Sequence, residues 1–351
     1  MYTFFEQIFR KIKEIQPVST TGALAHTYYW LTSFGSGDLV FRNPNFRAPK
    51  EHAPDLSEGI AIYCTHGTAD QAGAFDRIAQ RLIAAGLPEL VSSIHLVSFD
   101  SRYQGKGINY FSSQLAEKIK KNGHKHVILI GHSRGCLVNT YAAERYLPEA
   151  GIHVERVINL CGPFGGSDLA IDPLSRVSTS VEQMQVNSTF LKKLGAKVMQ
   201  SKAIYNFFAA AQDWIVRPAF SYVVDYVKKN PKALVELDRH GHLSIMSSYR
   251  VVGFIRDYII ESCNALLSPV SRTDKKEIDK NSDEEVVAKM KEELDDSDFI
   301  FVDKDEVEDD LLLATKKEGH KIVEESDDEG GYVLIDNKEI EDSSSSTSPR
   351  F

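Results

Sequence analysis

A serine between two glycines is the first feature of this sequence that could do chemistry. Ser133 lies in the pentapeptide Gly131-His-Ser-Arg-Gly135, between the apolar run Val127–Ile130 and a stretch with helical periodicity. Glycines at these two positions allow a sharp turn from strand to helix that exposes the serine hydroxyl. The pattern predicts a serine nucleophile, and its alternative interpretation is a glycine-rich turn with a purely structural role.

A serine hydroxyl needs a base to remove its proton, and a histidine base needs an acid to orient it. The sequence supplies Asp213, 80 residues after Ser133, and His242, 29 residues after Asp213. Each follows an apolar run, so we expect both at the carboxyl ends of parallel strands, where open α/β sheets build their sites.

Neighbouring side chains offer alternatives for two of these roles. Asp225 and Asp238 compete with Asp213, and His240 competes with His242 because only one residue separates them. His132 is expected to pack beside the serine rather than to act on the substrate.

The elements that must position these residues alternate in type along the chain. Short apolar runs occupy Ile60–Cys64, Ile94–Phe99, Val127–Ile130, Val157–Cys161, Ala203–Ala210 and Ala233–Leu237. Helical patterns cover residues 71–85, 109–121, 134–147, 217–229 and 246–266. This alternation predicts an α/β domain, a mostly parallel central sheet with helices on both faces.

Several motifs in this order resemble the α/β-hydrolase superfamily, and within it the bacterial triacylglycerol lipase and inositol-deacylase type of serine esterase. The resemblance spans roughly residues 58–265. It rests on His66-Gly67, the GHSRG pentapeptide, Val157-Ile-Asn-Leu-Cys-Gly-Pro-Phe-Gly-Gly-Ser167, Gln183-Met-Gln-Val-Asn-Ser-Thr-Phe-Leu191, Gln212-Asp-Trp-Ile-Val216 and Gly241-His242.

The resemblance implies a role for each member of the site. Ser133 would be the nucleophile, His242 the general base and acid, and Asp213 its orienting acid. The backbone N–H groups of Arg134 and Thr68 would form the oxyanion hole. The implied activity is hydrolysis of carboxylic esters, lipid-like ones in particular, with acyl transfer or thioester cleavage by the same triad as the alternative.

Two departures from the family pattern blur the choice of substrate. Position 136 is Cys where many relatives have a small residue, and Phe164-Gly-Gly stands where lipases often place histidines. Residues 164–203 form a long, partly apolar connection that we interpret as a candidate lid over the serine. Ordinary helices that close the sheet edge are the alternative interpretation.

The amino-terminal residues 1–20 have apolar side chains at helical spacing with basic residues among them. This pattern predicts an amphipathic helix, packed on residues 21–268 or resting on a membrane interface as a peripheral contact. No apolar run approaches the ~18 residues of a membrane span, and charges interrupt the first apolar segment where a signal peptide has none. We therefore expect a cytoplasmic protein.

Charge divides the 351-residue chain into two unlike parts. Residues 1–270 carry 29 Lys and Arg against 23 Asp and Glu, whereas residues 271–351 carry 12 against 27. The net charge of -9 is therefore that of a basic body and an acidic tail. Low apolar content and a high density of one charge predict that the tail, residues 269–351, is largely disordered.

The tail contains two similar short hydrophobic segments, Phe299–Val302 and Tyr332–Ile335, each between acidic residues. Such segments suit binding by strand addition, and they resemble motifs that engage ubiquitin-like modifiers. Hydrophobic side chains in a solvating tail are the alternative. The second class of function is accordingly an interaction protein that acts through its tail.

The sequence contains no motif for metal, phosphate or dinucleotide binding. The four cysteines lack metal-binding or disulfide spacing, and no phosphate-binding or dinucleotide motif occurs. No basic stripe stands out and the acidic tail would repel phosphates, which argues against nucleic acid as a partner. We expect no cofactor and no metal.

Overall fold

The computed structural model describes residues 19–33, 35–49, 56–68, 70–99, 104–170, 174–267, 320–324 and 332–336. The chain divides into two compact units, Met1–Glu284 and Glu285–Phe351. The predicted helix over residues 1–20 lies outside the described part of the chain except for its last two residues.

Seven strands form the sheet of the first unit. They are β1 (Leu39–Arg42), β2 (Ile60–Thr65), β3 (Val91–Val97), β4 (His126–His132), β5 (His153–Leu160), β6 (Ile204–Ala210) and β7 (Leu234–Leu237). Their order is β1-β3-β2-β4-β5-β6-β7. β1 pairs antiparallel with β3, and every other pairing in this sheet is parallel.

Alternate side chains of the central strands are buried in two different apolar clusters, one on each face of the sheet. Tyr63 and Leu129 point into one apolar cluster, and Ile62 and Ile130 point into the cluster on the opposite face. Successive side chains of a strand point to opposite faces, so both faces of the sheet must be covered. This explains why the strands appear in the sequence as continuous apolar runs.

Nine helices of the first unit are described, one of which, α2, is preceded directly by a 3-10 turn at Ala72–Phe75. They are α1 (Ser19–Thr32), α2 (Asp76–Ala84), α3 (Ile108–Lys121), α4 (Arg134–Tyr141), α5 (Leu174–Val177), α6 (Thr179–Gln183), α7 (Thr189–Gln200), α8 (Val224–Lys229) and α9 (Tyr249–Leu267). α4 continues through a π-helical segment, Ala142–Tyr146, to a last turn at Leu147–Glu149. None of the described helices is long and apolar enough to cross a membrane.

Predicted and observed elements agree at the centre of the sheet and differ at its margins. All six predicted strands are present to within a few residues, whereas β1 and α1 were not predicted. The helix expected over 217–229 is shorter, because residues 218–220 form a 3-10 turn and only Val224–Lys229 is α-helical.

The strand order changes direction around β2. The chain passes from β2 to β3 on one side and then returns to β4 on the other side. Crevices outside the carboxyl ends of such strands are where open α/β sheets bind ligands. The segments that leave β2 and β4 at this edge contain Thr68 and Ser133.

The second unit contains a described pair of antiparallel strands, β8 (His320–Glu324) and β9 (Tyr332–Asp336). The predicted segment Tyr332–Ile335 forms most of β9, with Ile335 opposite Lys321 in the pairing. Phe299 and Val302 lie outside the described residues, so their predicted docking role stays a prediction. The predicted disorder of the tail likewise stays a prediction.

Candidate active site

Ser133 stands at the sharp turn between β4 and α4. Its backbone has φ 54° and ψ −126°, a conformation that L residues rarely adopt. The neighbouring glycines are required by close packing. A Cβ at Gly131 would lie 2.6 Å from the backbone nitrogen of Cys136, and one at Gly135 would collide with the carbonyl oxygen of Thr65. The turn therefore has the strained strand-to-helix geometry of a nucleophile elbow.

A buried carboxylate and a buried imidazole meet beside this turn. His242 Nδ1 lies 2.7 Å from Asp213 Oδ2, and both side chains are at most 4% exposed. Asp213 Oδ1 accepts hydrogen bonds of 2.8 Å from the backbone N–H groups of Ile215 and Val216. Burial acts to raise the pKa of Asp213, but these hydrogen bonds outweigh it and hold the pKa below its usual value. The carboxylate is thus ionised, and its contact with Nδ1 fixes the His242 ring, which leaves Nε2 as the nitrogen that a general base would use.

The competing residues have different surroundings. His240 uses both ring nitrogens, toward the carbonyl oxygen of Asp238 at 2.7 Å and the hydroxyl of Ser248 at 2.8 Å. The carboxylate of Asp225 forms an exposed ion pair with Lys228, and Asp238 is exposed. Unlike His242, none of these three lines the pocket described below.

His132 supports the loop that carries His242. Its Nε2–H donates to the backbone carbonyl of His242 at 2.8 Å, and the two rings lie 4.8 Å apart. Burial, with the nearby His242 and His26, lowers the pKa of His132 to about 3. The ring is therefore neutral at physiological pH. It packs beside the serine, as the sequence indicated, and it also lines the pocket.

The two expected oxyanion donors lie at opposite sides of Ser133 in the chain. The N–H of Arg134 belongs to the first turn of α4, where N–H groups have no partner within the helix. Thr68 is exposed and lines the same pocket as Ser133. The Arg134 side chain points elsewhere, since its guanidinium lies 4.3 Å from the centre of the Phe111 ring.

A second histidine–aspartate pair, missed by the sequence analysis, lines the same pocket. His26 Nε2 of α1 lies 3.1 Å from Asp70 Oδ2, and both side chains are 7% exposed. Burial acts to raise the pKa of Asp70, but the hydrogen bond from His26 and the charges of His26, His66 and His132 together hold the pKa below its usual value. No motif marks these residues, because α1 carries no strong apolar periodicity and Asp70 lies in a loop.

Apolar side chains dominate the pocket that holds Ser133 and His242. The cavity has a volume of about 390 Å³, within the usual range for small-molecule sites. Its apolar wall includes Trp30, Leu169, Val181, Met184, Ile215 and Leu243. Three of these residues belong to the candidate lid, 164–203, so this segment forms part of the wall whether or not it moves.

Among the residues that the structure describes, one group of side chains has donor atoms close enough to hold a metal ion. A sulfur of Cys161, an oxygen of Asp213 and a nitrogen of His242 lie within 4.8 Å of one another. Metal binding requires a deprotonated thiol, whereas burial and the charge of Asp213 raise the pKa of the Cys161 thiol well above 9. The protonated sulfur and the occupied carboxylate fit a hydrogen-bonded cluster better than a metal site.

Comparison with solved structures finds bacterial, archaeal and fungal lipases. The chain is similar to the mature Bacillus licheniformis lipase BlEst2, at 18% identity over 63% of this chain and 98% of that one, with a TM-score of 0.43. It is similar to Paleococcus ferrophilus monoacylglycerol lipase at 13% identity, over 64% and 98%, with a TM-score of 0.45. It is also similar to Aspergillus fumigatus lipase B at 14% identity, over 63% and 55%, with a TM-score of 0.48.

No curated protein matches the sequence. A family model gives the most specific assignment. The model of lecithin:cholesterol acyltransferase matches residues 60–317, which include every strand from β2 to β7 and all three predicted catalytic residues. Because the match covers well over half of the sequence, the chain belongs to the lecithin:cholesterol acyltransferase family, within the α/β hydrolases.

Proposed function

We propose that the protein cleaves lipid-like carboxylic esters through an acyl-enzyme on Ser133. The observation that carries the proposal is the arrangement of one pocket. It joins a serine on a strained strand-to-helix turn, a histidine held at 2.7 Å by a buried carboxylate, and a mainly apolar wall.

The first half of the reaction forms the acyl-enzyme. Ser133 Oγ attacks the ester carbonyl while its proton passes to His242 Nε2, and the imidazolium is stabilised by Asp213. Negative charge on the carbonyl oxygen is held by the N–H groups of Arg134 and Thr68. Collapse of the tetrahedral intermediate breaks the ester bond, and His242 returns the proton to the leaving alcohol.

The second half releases the acyl group. His242 removes a proton from a water molecule, which attacks the acyl carbon, and the proton then returns to Ser133 as the carboxylic acid leaves. The apolar wall supplied by Leu169, Val181 and Met184 favours an acyl chain over a polar substituent. All three belong to the candidate lid segment, residues 164–203, so in this proposal that segment would contact the acyl chain.

Acyl transfer to an alcohol is the second candidate, and the family assignment favours it. The chemistry differs only in the final step, where an alcohol replaces water as the nucleophile. Thioester cleavage would use the same residues with a thiol as leaving group.

The test is a chain-length series of p-nitrophenyl esters, measured with and without phospholipid vesicles, on wild type and Ser133→Ala. We expect kcat/KM to rise beyond four carbons and Ser133→Ala to lose activity by at least 10³-fold, the usual cost of removing a triad member. A maximum at two to four carbons would contradict a lipid-like substrate. Addition of a long-chain alcohol, with the products separated by chromatography, distinguishes transfer from hydrolysis.

A further inference from the structure

Cys161 occupies an unusual position behind the candidate triad. It follows β5 directly and is fully buried, and its N–H donates to the carbonyl of Phe208 at 3.0 Å. Its φ is +52°, in the left-handed region where any side chain is disfavoured by roughly 1–2 kcal/mol. Glycine would remove that cost, yet the chain has a cysteine here.

Positive-φ residues other than glycine are few in the described chain. They are Ser133, Cys161, Asn187 and Arg239. Two of the four belong to the same site, since Ser133 lines the pocket and the Cys161 sulfur lies within 4.8 Å of both Asp213 and His242. Backbone strain persists where surrounding structure enforces it, and it concentrates at functional sites.

The thiol has an acceptor at hand. One carboxylate oxygen of Asp213 accepts hydrogen bonds from two backbone N–H groups, and the other oxygen is hydrogen-bonded to His242. The Cys161 sulfur is fully buried and lies within 4.8 Å of an oxygen of this carboxylate. Because burial and the charge of Asp213 raise the pKa of the thiol, the sulfur keeps its proton and is available as a donor.

We propose that Cys161 is a positioning residue, whose thiol hydrogen bond holds the Asp213 carboxylate in the orientation that meets His242 Nδ1. A carboxylate with donors on each side cannot rotate away from the imidazole when His242 gains a proton. The proposal rests on the proposed function, because it assigns Cys161 a role only through Asp213 and His242.

The experiment compares three substitutions that separate the thiol from the backbone. Cys161→Ala removes the donor and keeps the strain, Cys161→Ser keeps a donor, and Cys161→Gly removes both donor and strain. Cys263→Ser is the matched control, because Cys263 is also buried but lies on α9, outside the site. For each variant, kcat and KM on p-nitrophenyl butyrate are measured together with the midpoint of thermal unfolding.

We expect kcat to fall by about tenfold in Cys161→Ala, with KM within about twofold, the effect of losing one weak donor. Cys161→Ser should keep kcat within about threefold of wild type, since a hydroxyl also donates. Cys161→Gly should be at least as stable as Cys161→Ala but no more active. Opposite trends in stability and kcat are the signature of a positioning role.

Wild-type kcat in Cys161→Ala and Cys161→Gly would overturn the inference. So would activity that follows thermal stability, with Cys161→Gly the more active of the two, because Cys161 would then matter only through its backbone. If Cys161→Ala does not fold, the comparison of Cys161→Ser with Cys161→Gly still decides. Ser133→Ala, assayed in parallel, separates the two claims: activity retained there contradicts the proposed function itself.

Discussion

At the scale of single residues, the account depends on the contact between Asp213 and His242. The carboxylate is buried and ionised, and it accepts from His242 Nδ1 at 2.7 Å, so Nε2 is the ring nitrogen left for the proposed proton transfer. An amide in place of this carboxylate would not stabilise the imidazolium and would favour the wrong tautomer.

Asp213→Asn is therefore expected to lower kcat by about 10⁴-fold and to change KM little. The measurement is steady-state hydrolysis of a short p-nitrophenyl ester. Asp225→Asn is the matched control, since Asp225 forms an exposed ion pair with Lys228, and it should keep kcat within about twofold. A loss of less than tenfold in Asp213→Asn would show that another acid serves His242.

The order Ser133, Asp213, His242 in the sequence was sufficient to select two residues that line one pocket, Ser133 and His242, and the carboxylate that contacts His242. His26 and Asp70 were not predictable in this way. Their contact joins a helix of weak apolar periodicity to a loop, and neither the spacing nor the residue types indicate that they meet. The sequence showed Cys161 only as the last residue of an apolar run. Its positive φ was not predictable, because only glycine marks such a backbone conformation in a sequence.

At the scale of elements, the junction of β4 and α4 positions Ser133, the proposed nucleophile. Its geometry was predicted well, because flanking glycines have a direct steric meaning. The edge strand β1 was missed, since four residues with an alternating burial pattern give a weak signal. The same limit applies to the short helices α5 and α6 in the candidate lid.

Gly135→Ala tests the junction. The new methyl group would collide with the backbone carbonyl of Thr65, which cannot move without shifting β2. We expect a loss of at least about 2 kcal/mol in the free energy of unfolding, the usual range for overpacking against backbone, together with loss of esterase activity. Gly253→Ala on α9 meets nothing within 4 Å and should be neutral or stabilising by up to about 1 kcal/mol. Equal stability of the two variants in urea denaturation would contradict the packing.

Val181→Trp tests the contribution of α6 to the acyl site. Val181 lines the pocket, and an indole there would occupy space that a long acyl chain needs. We expect kcat/KM for p-nitrophenyl octanoate to fall by about 10–100-fold, while that for the acetate stays within about threefold. Ile204→Trp is the control, because Ile204 is exposed at the opposite end of β6 from the pocket. A uniform loss for both esters would indicate damage to the triad rather than to the acyl site.

At the scale of the whole molecule, buried neutral imidazoles make the fold sensitive to acid. Burial, with a smaller effect of His124, lowers the pKa of His95 to about 4, and the pKa of His132 is about 3. The unfolded chain binds these protons near pH 6.5, so stability is complete above that pH and is lost as pH falls toward 4.

His95→Gln should reduce this loss. Each such imidazole contributes a slope of up to about 1.4 kcal/mol per pH unit between pH 6.5 and its own lowered pKa, and the variant lacks one of them. We expect a flatter dependence of the unfolding free energy on pH and an unchanged kcat, because His95 stacks on Tyr63 and does not line the pocket. Parallel profiles for wild type and variant in urea titrations would contradict this assignment.

The division of the chain into two compact units leads to a further expectation about the acidic part. Every residue of the candidate site precedes Glu285, where the second unit begins. A chain ending at Glu284 should retain kcat and KM within about twofold, compared at low and high salt. The fold of residues 21–268 was predictable from apolar runs and motif order. The sequence gives no comparably strong signal for the role of the tail, and this deletion tests whether the tail contributes to activity.

The most direct test of the central claim is to locate the nucleophile chemically. The full-length protein is treated with a fluorophosphonate, digested, and analysed by tandem mass spectrometry, with Ser133→Ala treated in parallel. The account predicts a single phosphonyl adduct on Ser133 that is absent from the variant. An adduct on another residue, or equal labelling of wild type and Ser133→Ala, would contradict it.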